Sequence, residues 1–474
     1  MEKQFKRGNS LELFIEGLAF GARGVARVEN FVWFVERAIP GQKVIARIKR
    51  VRKSYGEAVL EKVIEPSPYQ VEPTCPYFGV CGGCQLQHLK YDIQVKTKTR
   101  QIQEILERIG NFKNIKVRPT IPADEIYGYR NKMEFTFSDR RWITENESEE
   151  KPKNFALGLH VPGRFDKVLD IDGCLLQSEI SNKVFQTVKS LVIETGLPAY
   201  NIKNHTGFWR FLVIREGKNT GDLMLNIITT SQEGKKGNKA LDWIVHKLFW
   251  QHPEITTVIH SISDKKSQVA IGESERLLLG MGKIVEKVGE RSFEISPTAF
   301  FQTNTFQTQR LFDTIIELAE FQENQNVWDL YCGTGAIGIY IADRAKHVLG
   351  IEIIEFAIEN GKKNLELNNL NNVDFILADM KEALYGSDFL IREYGVPDVV
   401  IIDPPRGGTH PKTVESLAEL APPKIIYVSC NPPILARDLQ ILCKDIYTLK
   451  AVQPVDMFPH TGHIETVVLL EKKS

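Results

Sequence analysis

Val327-Trp328-Asp329-Leu330-Tyr331-Cys332-Gly333-Thr334-Gly335-Ala336-Ile337-Gly338 is an apolar, strand-like run that opens into a G-x-G-x-x-G loop. Glycines at such a turn let the backbone come close to a ligand, and the helix that follows, expected to run through Ala345, offers free N–H groups. Downstream the rhythm of strand, loop and helix repeats. Residues 348–351 read as a second strand and 355–369 as a second helix, and 373–377, 398–402, 424–428 and 466–470 read as further strands. Apolar strands alternating with helices predict a mostly parallel sheet covered on both faces, with ligands at the carboxyl ends of its strands.

Upstream the pattern differs. Leu11, Leu13 and Ile15 alternate with polar residues, 31–35 is a strand-like run, and Gly17, Gly21, Gly24 and Gly41 punctuate the segment. Several short strands in so short a span predict a small β-barrel of the oligonucleotide-binding type. Pro66, Pro68 and Pro73 then mark a linker. Between it and the nucleotide-fold rhythm the pattern is mixed, with a helix over 92–109 and strands near 211–214 and 223–228. The chain thus divides into a barrel over 1–66, an α+β part over 67–290 and an α/β, Rossmann-like part over 291–474.

The 474 residues carry 60 Lys plus Arg against 60 Asp plus Glu, so net charge names no partner. Local basic runs do point to a polyanion: Arg47, Lys49, Arg50, Arg52 and Lys53; Lys90, Lys96, Lys98 and Arg100; and Arg130-Asn131-Lys132. No stretch has the ~18 apolar residues of a membrane span. The opening Met1-Glu2-Lys3-Gln4-Phe5-Lys6-Arg7 has no apolar core behind its charges, so no secretory signal is expected. Seven cysteines in such a chain predict reduced thiols in the cytoplasm, used for metal binding or catalysis.

The expected strand ends carry the chemistry. Asp329 lies four residues before the loop, where a carboxylate could receive an ammonium group. Glu352 ends the second strand and can take both hydroxyls of a ribose; Asp379 ends the third, near where an adenine would lie. The later strands end in Asp403-Pro404-Pro405-Arg406 and Ser429-Cys430-Asn431-Pro432, and this context favours a methyl donor over a dinucleotide. Cys430 precedes an expected helix near Pro432, and a helix N-terminus lowers a thiol pKa, as a nucleophile requires. Glu465, in His463-Ile464-Glu465, is the candidate base. Separately, Cys75, Cys81 and Cys84 form C-x5-C-G-G-C, with Cys174 far downstream. Thiols so spaced are metal ligands, and spacing alone leaves zinc and a [4Fe–4S] cluster both open. Cys443 reads as ordinary core, and Cys332 has no assigned role.

Taken in order, Ser296-Pro297, Phe301-Gln302-Thr303-Asn304, Asp329 through Gly335, Asp403-Pro404-Pro405-Arg406, Ser429-Cys430-Asn431-Pro432 and His463-Ile464-Glu465 resemble the RNA uracil-5-methyltransferases, most closely the 23S ribosomal RNA branch. The resemblance covers nearly the whole chain. It implies S-adenosylmethionine as cofactor, Cys430 as covalent nucleophile and Glu465 as base. It implies Gln302, Tyr331, Glu352, Asp379 and Asp403 as methyl-donor contacts, Asp403 also reaching the uracil. For Cys75, Cys81, Cys84 and Cys174 it implies the iron–sulfur cluster, in a structural or RNA-positioning role, and it implies that the 92–109 helix packs on the catalytic part. The first segment is similar to the TRAM-type RNA-binding domain through Gly24-Val25-Ala26-Arg27, Phe34-Val35 and Pro40-Gly41. The expected partner is RNA, ribosomal RNA before transfer RNA, bound by a monomer. Three other classes compete. A non-catalytic RNA-binding protein would tend to lose the nucleophile and base. An exocyclic-amine methyltransferase would place an aromatic residue where Arg406 stands. A nicotinamide oxidoreductase would leave the later strand ends free.

Overall fold

The computed structural model describes residues 5–144 and 152–473, so the first four residues of the opening segment lie outside the described residues. Six strands form the N-terminal sheet, in the order Ser10–Phe14, Lys43–Val51, Tyr55–Glu65, Phe31–Glu36, Arg23–Val28 and Gly17–Ala19. The two-residue period puts Leu13, Ile15, Trp33, Val35, Val44 and Ala46 into one core.

An eight-stranded sheet comes next, running from Ser274–Leu279 at one edge through Leu223–Thr229 and Trp209–Glu216 to Arg141–Trp142 at the other. Helices Glu179–Glu194 and Gly234–Gln251 cover one face through a core that includes Phe135, Phe185, Leu212, Leu225 and Leu241. Met224 and Ile259 point the other way and join the core of the C-terminal sheet. The boundary expected at 290 falls inside a hairpin, Ile284–Val288 with Arg291–Ile295. Ile284, Val288, Phe293 and Ile295 all lie in that C-terminal core, so the hairpin packs as one piece with the C-terminal sheet.

The C-terminal sheet has seven strands, ordered Val373–Leu377, His347–Glu352, Asn326–Leu330, Val399–Ile402, Lys424–Ser429, Glu465–Lys472 and Tyr447–Val455. The first five are parallel, as their unbroken apolar runs predict, and the last two are antiparallel. Strand Tyr447–Val455 has no counterpart in the sequence reading, because Lys450, Gln453 and Pro454 break its apolar run. The glycine loop opens a shorter helix than expected, Ala336–Ile341, continued by a 3-10 turn over Ala342–Arg344.

The helix expected over 92–109 spans Tyr91–Arg108. Its Ile102 and Leu106 share a core with Trp328, Leu349, Leu435 and Leu439 of the C-terminal sheet and its helices. It is polar on average, and its apolar residues form one stripe that this contact buries. Among the described residues no helix is long and apolar enough to cross a membrane.

Candidate active site

Every parallel strand of the C-terminal sheet delivers a candidate functional side chain at or just beyond its carboxyl end. Tyr331 follows Leu330 with φ of 60°, a left-handed conformation uncommon outside glycine, which turns the chain into the loop. Beyond it Gly333 and Gly335 have φ of 56° and 73°. No atom lies within 4 Å of where a Cβ of Gly333 would project, leaving open space above the loop. Glu352 accepts the Gly333 N–H at 3.0 Å on one oxygen, and the Ile353 and Ile354 N–H groups at 2.8 and 3.0 Å on the other. The carboxylate is therefore fixed beneath the loop.

Asp329 is 1% exposed. One of its oxygens accepts the Gly338 N–H at 3.0 Å, and the other has no partner among the described residues. Burial, with smaller effects from Asp403 and Glu352, pushes its carboxyl up to about 7. Asp379 caps helix Met380–Tyr385 and lines a cavity of about 220 Å³ with Tyr331, Ile353, Ala378, His410 and Thr413. Gln302 stands before helix Thr305–Ala319, and its carbonyl accepts the Asn131 side-chain amide at 2.8 Å. The open loop, the unpartnered oxygen and the adjoining cavity fit a methionine-linked nucleoside.

Cys430 and Glu465 belong to neighbouring strands. Ser429 pairs with Thr466 in antiparallel register, so the residues just beyond that pair, Cys430 and Glu465, come opposite each other. Asp403 leaves the adjacent strand, whose Ile402 pairs with Tyr427. Arg406 lies near both groups and favours their anionic forms.

The electrostatics of this corner run against one expectation. Helix Pro432–Cys443 should lower the Cys430 thiol; instead burial, aided by Glu465 and Asp403, pushes it up to about 11. The first helical positions are Pro432 and Pro433, which have no N–H to offer an anion. Burial also holds the Glu465 carboxyl well above the usual range, with Asp403 adding to the shift. Asp403 itself is pushed up to about 7 by burial. In the free protein burial thus works against the charged forms of all three groups. Cys430 is expected to alkylate slowly in the free protein, its rate climbing about tenfold per pH unit through neutrality as the thiolate fraction grows. Iodoacetamide labelling followed by peptide mass spectrometry checks this, and a rate already flat near neutrality would contradict it.

Cys75, Cys81, Cys84 and Cys174 line one cavity of about 460 Å³, joined by Arg130, Lys132 and Thr303. Gly82 and Gly83 make the turn between the second and third cysteines. Burial, reinforced by the neighbouring thiols, raises Cys84 to about 12 and Cys174 to about 11. Among the described residues no group of three or more His, Cys, Asp or Glu side chains is arranged to hold a metal ion.

The basic runs are less free than the sequence implies. Arg47 pairs with Glu61, Lys49 with Glu36, Lys96 with Asp92 and Arg100 with Glu104. Lys98 is not on the surface at all: it is buried against Asp456.

The family model for tRNA (uracil-5-)-methyltransferases matches residues 268–473, and that for the TRAM domain matches residues 4–60. An RNA methyltransferase of Chlorobaculum tepidum is 39% identical, over 99% of this chain and 98% of its own. The chain belongs to the RNA uracil-5-methyltransferase family. A relative from Halalkalibacterium halodurans, also named as an RNA methyltransferase, is 37% identical over 99% of this chain and 98% of its own. The crystal structure of Pyrococcus abyssi tRNA (uracil-54, C5)-methyltransferase with S-adenosyl-L-homocysteine superposes with a TM-score of 0.74 at 31% identity, covering 97% of this chain and 99% of that one.

This uracil-5-methyltransferase is thus an S-adenosylmethionine-dependent RNA-modifying enzyme with an RNA-binding TRAM domain. The pyrococcal match removes one argument for ribosomal RNA. A transfer RNA enzyme matches the chain over barrel and cysteine segment alike, so the presence of those two parts does not separate the substrates. Sequence reasoning also missed Asp456, which accepts from Lys98 just before the final strand, and Asn131, which donates to the Gln302 carbonyl. Asn131 sat in view as the uncharged member of a basic run, and its burial was the signal overlooked.

Proposed function

We propose that this methyltransferase acts on carbon 5 of one uridine through a temporary bond between Cys430 and carbon 6 of the ring, with Glu465 as base. The observation that carries the reading is the strand register that sets Cys430 opposite Glu465, with Asp403 beside them. Addition of the Cys430 thiolate to carbon 6 moves the ring electrons onto carbon 5, which becomes nucleophilic enough to take a methyl. Glu465 then removes the carbon 5 proton; those electrons restore the ring double bond and expel the thiolate. S-adenosylmethionine, when bound, supplies the electrophilic methyl and a positive charge that favours the anionic forms of nearby groups.

Gln302, Tyr331, Glu352, Asp379 and Asp403 are the residues assigned to hold the methyl donor. Glu352, clamped by three backbone N–H groups, keeps an acceptor site on its less engaged oxygen for a ribose hydroxyl. Asp379 and Tyr331 wall the cavity suited to an adenine. Asp403 is assigned to the uracil edge as well.

The test uses RNA bearing 5-fluorouridine. Fluorine cannot leave as a proton does, so the covalent intermediate persists. A protein–RNA adduct that Cys430→Ala abolishes supports the reading; an adduct that survives the substitution removes it.

The reading takes 23S ribosomal RNA as substrate, on the motif order in the chain. The likeness to the pyrococcal enzyme favours a uridine in transfer RNA as second reading. Mapping 5-methyluridine in both RNA pools from a deletion strain separates them. The reading also takes the enzyme to be a cytoplasmic monomer, consistent with its abundance of free thiols.

The cysteine cavity is assigned to a [4Fe–4S] cluster. Four thiols drawn from two distant segments line it beside two cations, a donor set whose chemistry suits an anionic iron–thiolate group, although among the described residues they are not drawn together into a metal-holding arrangement. Its role would be to fix the Cys75–Cys84 segment to the central sheet, since methyl transfer needs no electron. Anaerobically purified protein is expected to be brown, with a broad absorbance near ~400 nm and iron and sulfide released by acid. Colourless protein carrying stoichiometric zinc overturns this assignment.

A further inference from the structure

Strand Tyr447–Val455 and strand Glu465–Lys472 are paired, with Val455 opposite Glu465. The connection between them, residues 456–464, is irregular, so the place of the Glu465 carboxyl depends on how that connection is held. Its own backbone supplies few hydrogen bonds, among them Thr461 N–H to the Phe458 carbonyl at 3.3 Å, and His460 sits at φ of 65°, a conformation that survives only where surroundings impose it.

The surroundings come from far upstream. Lys98 donates to one Asp456 oxygen at 2.6 Å and Tyr91 to the other at 3.0 Å, both from helix Tyr91–Arg108. Asp456 is 0% and Lys98 2% exposed. On the same helix Gln94 accepts the His460 N–H at 3.0 Å. The segment after Cys84 grips the far side: the Gln85 N–H donates to the His460 carbonyl at 2.9 Å, and the Gln85 side chain accepts the Gly462 N–H at 3.0 Å. Gly462 in turn leaves no room for a side chain, since a Cβ there would lie 2.7 Å from the Ala22 nitrogen of the barrel. Burying a charged pair adds little stability compared with apolar packing, but it fixes direction and distance in a way that apolar contact does not.

We propose that Lys98, Asp456 and Gln85 are positioning residues for Glu465, holding the 456–464 connection so that the carboxyl meets carbon 5 of the uracil. Helix Tyr91–Arg108 and the cysteine segment thereby take part in the reaction without touching substrate. The proposal rests on the covalent reading above. It makes the last chemical step, proton removal, the one that suffers when the anchors are lost. Formation of the Cys430 adduct depends on a different strand.

The experiment uses the full-length protein with S-adenosylmethionine and RNA bearing ordinary uridine. Lys98→Met removes the charge but keeps most of the stem, and Gln85→Ala alters an exposed residue that no core contains. Turnover is expected to fall about a hundredfold in Lys98→Met and about tenfold in Gln85→Ala, the scale of a base displaced by up to an ångström. KM for RNA and for S-adenosylmethionine should stay within about threefold, and a methylated protein–RNA adduct resistant to denaturant should accumulate. Turnover unchanged in both variants, or lost without adduct, overturns the proposal. Should Lys98→Met fail to fold, Gln85→Ala decides by the same criteria. Wild-type protein with 5-fluorouridine RNA keeps the two claims apart: no adduct there removes the covalent reading and this proposal together, whereas an adduct there and none in the variants removes this proposal alone.

Discussion

Glu465→Gln is expected to form the covalent adduct on RNA with ordinary uridine and to release methylated product about 10²–10⁴ times more slowly than wild type, the span over which a positioned base accelerates proton transfer. The amide has the size of the carboxyl and cannot accept the carbon 5 proton. Folding should be little affected, because burial already disfavours the charged form of Glu465. Asp403 is the other carboxyl near Cys430, yet it leaves a different strand from Glu465. A denaturing gel read beside a rapid-quench time course makes the measurement. Normal release of product by the amide variant would take the role of base away from Glu465.

Gly335→Ala is expected to destabilise the catalytic sheet by about 2–4 kcal/mol, combining left-handed strain with overpacking. Gly335 has φ of 73°, and a methyl built on it lies only 2.2 Å from Cζ of Phe375. That ring cannot retreat, since it also lies against Gly350 and Gly361, where an added Cβ would meet it as well. S-adenosylmethionine affinity should fall at least about tenfold, each 1.4 kcal/mol of loop distortion carrying that factor. Gly333→Ala is the comparison: its φ is also positive, but the space around it is open, so its melting temperature should drop less. Thermal melting and calorimetric titration of the cofactor test both variants. A Gly335→Ala protein that melts and binds like wild type would show the loop to be roomier than its neighbours imply.

Much of the site was legible because parallel strands are short, apolar and evenly spaced, and each ends where a polar residue begins. Asp329, Glu352, Asp403 and Cys430 could therefore be put at strand ends by counting, and sheet order brings those ends into one row. The cysteine set was legible from spacing because three of its members are within ten residues. Other features left no such trace. Lys98 looks like part of a basic run, and only the fold reveals that it faces Asp456, which is 358 positions away. The hairpin over 284–295 alternates too weakly to announce which sheet it joins. The pKa of Cys430 was misread for a local reason: proximity to a helix start was weighed, and the absence of N–H groups on Pro432 and Pro433 was not.

The order in which the chain is made meets a difficulty at helix Tyr91–Arg108. Lys98 leaves the ribosome long before Asp456, and at ordinary rates of synthesis the wait is roughly 20–70 s. Throughout it Ile102 and Leu106 have no permanent cover, because the core they enter is completed by strands near the C-terminus. Early parts of the nascent chain must then either stay loosely collapsed or be sheltered by a chaperone. A polypeptide whose translation stops short of residue 456 cannot bury Lys98 beside its counter-charge, so helix Tyr91–Arg108 has no settled seat in it.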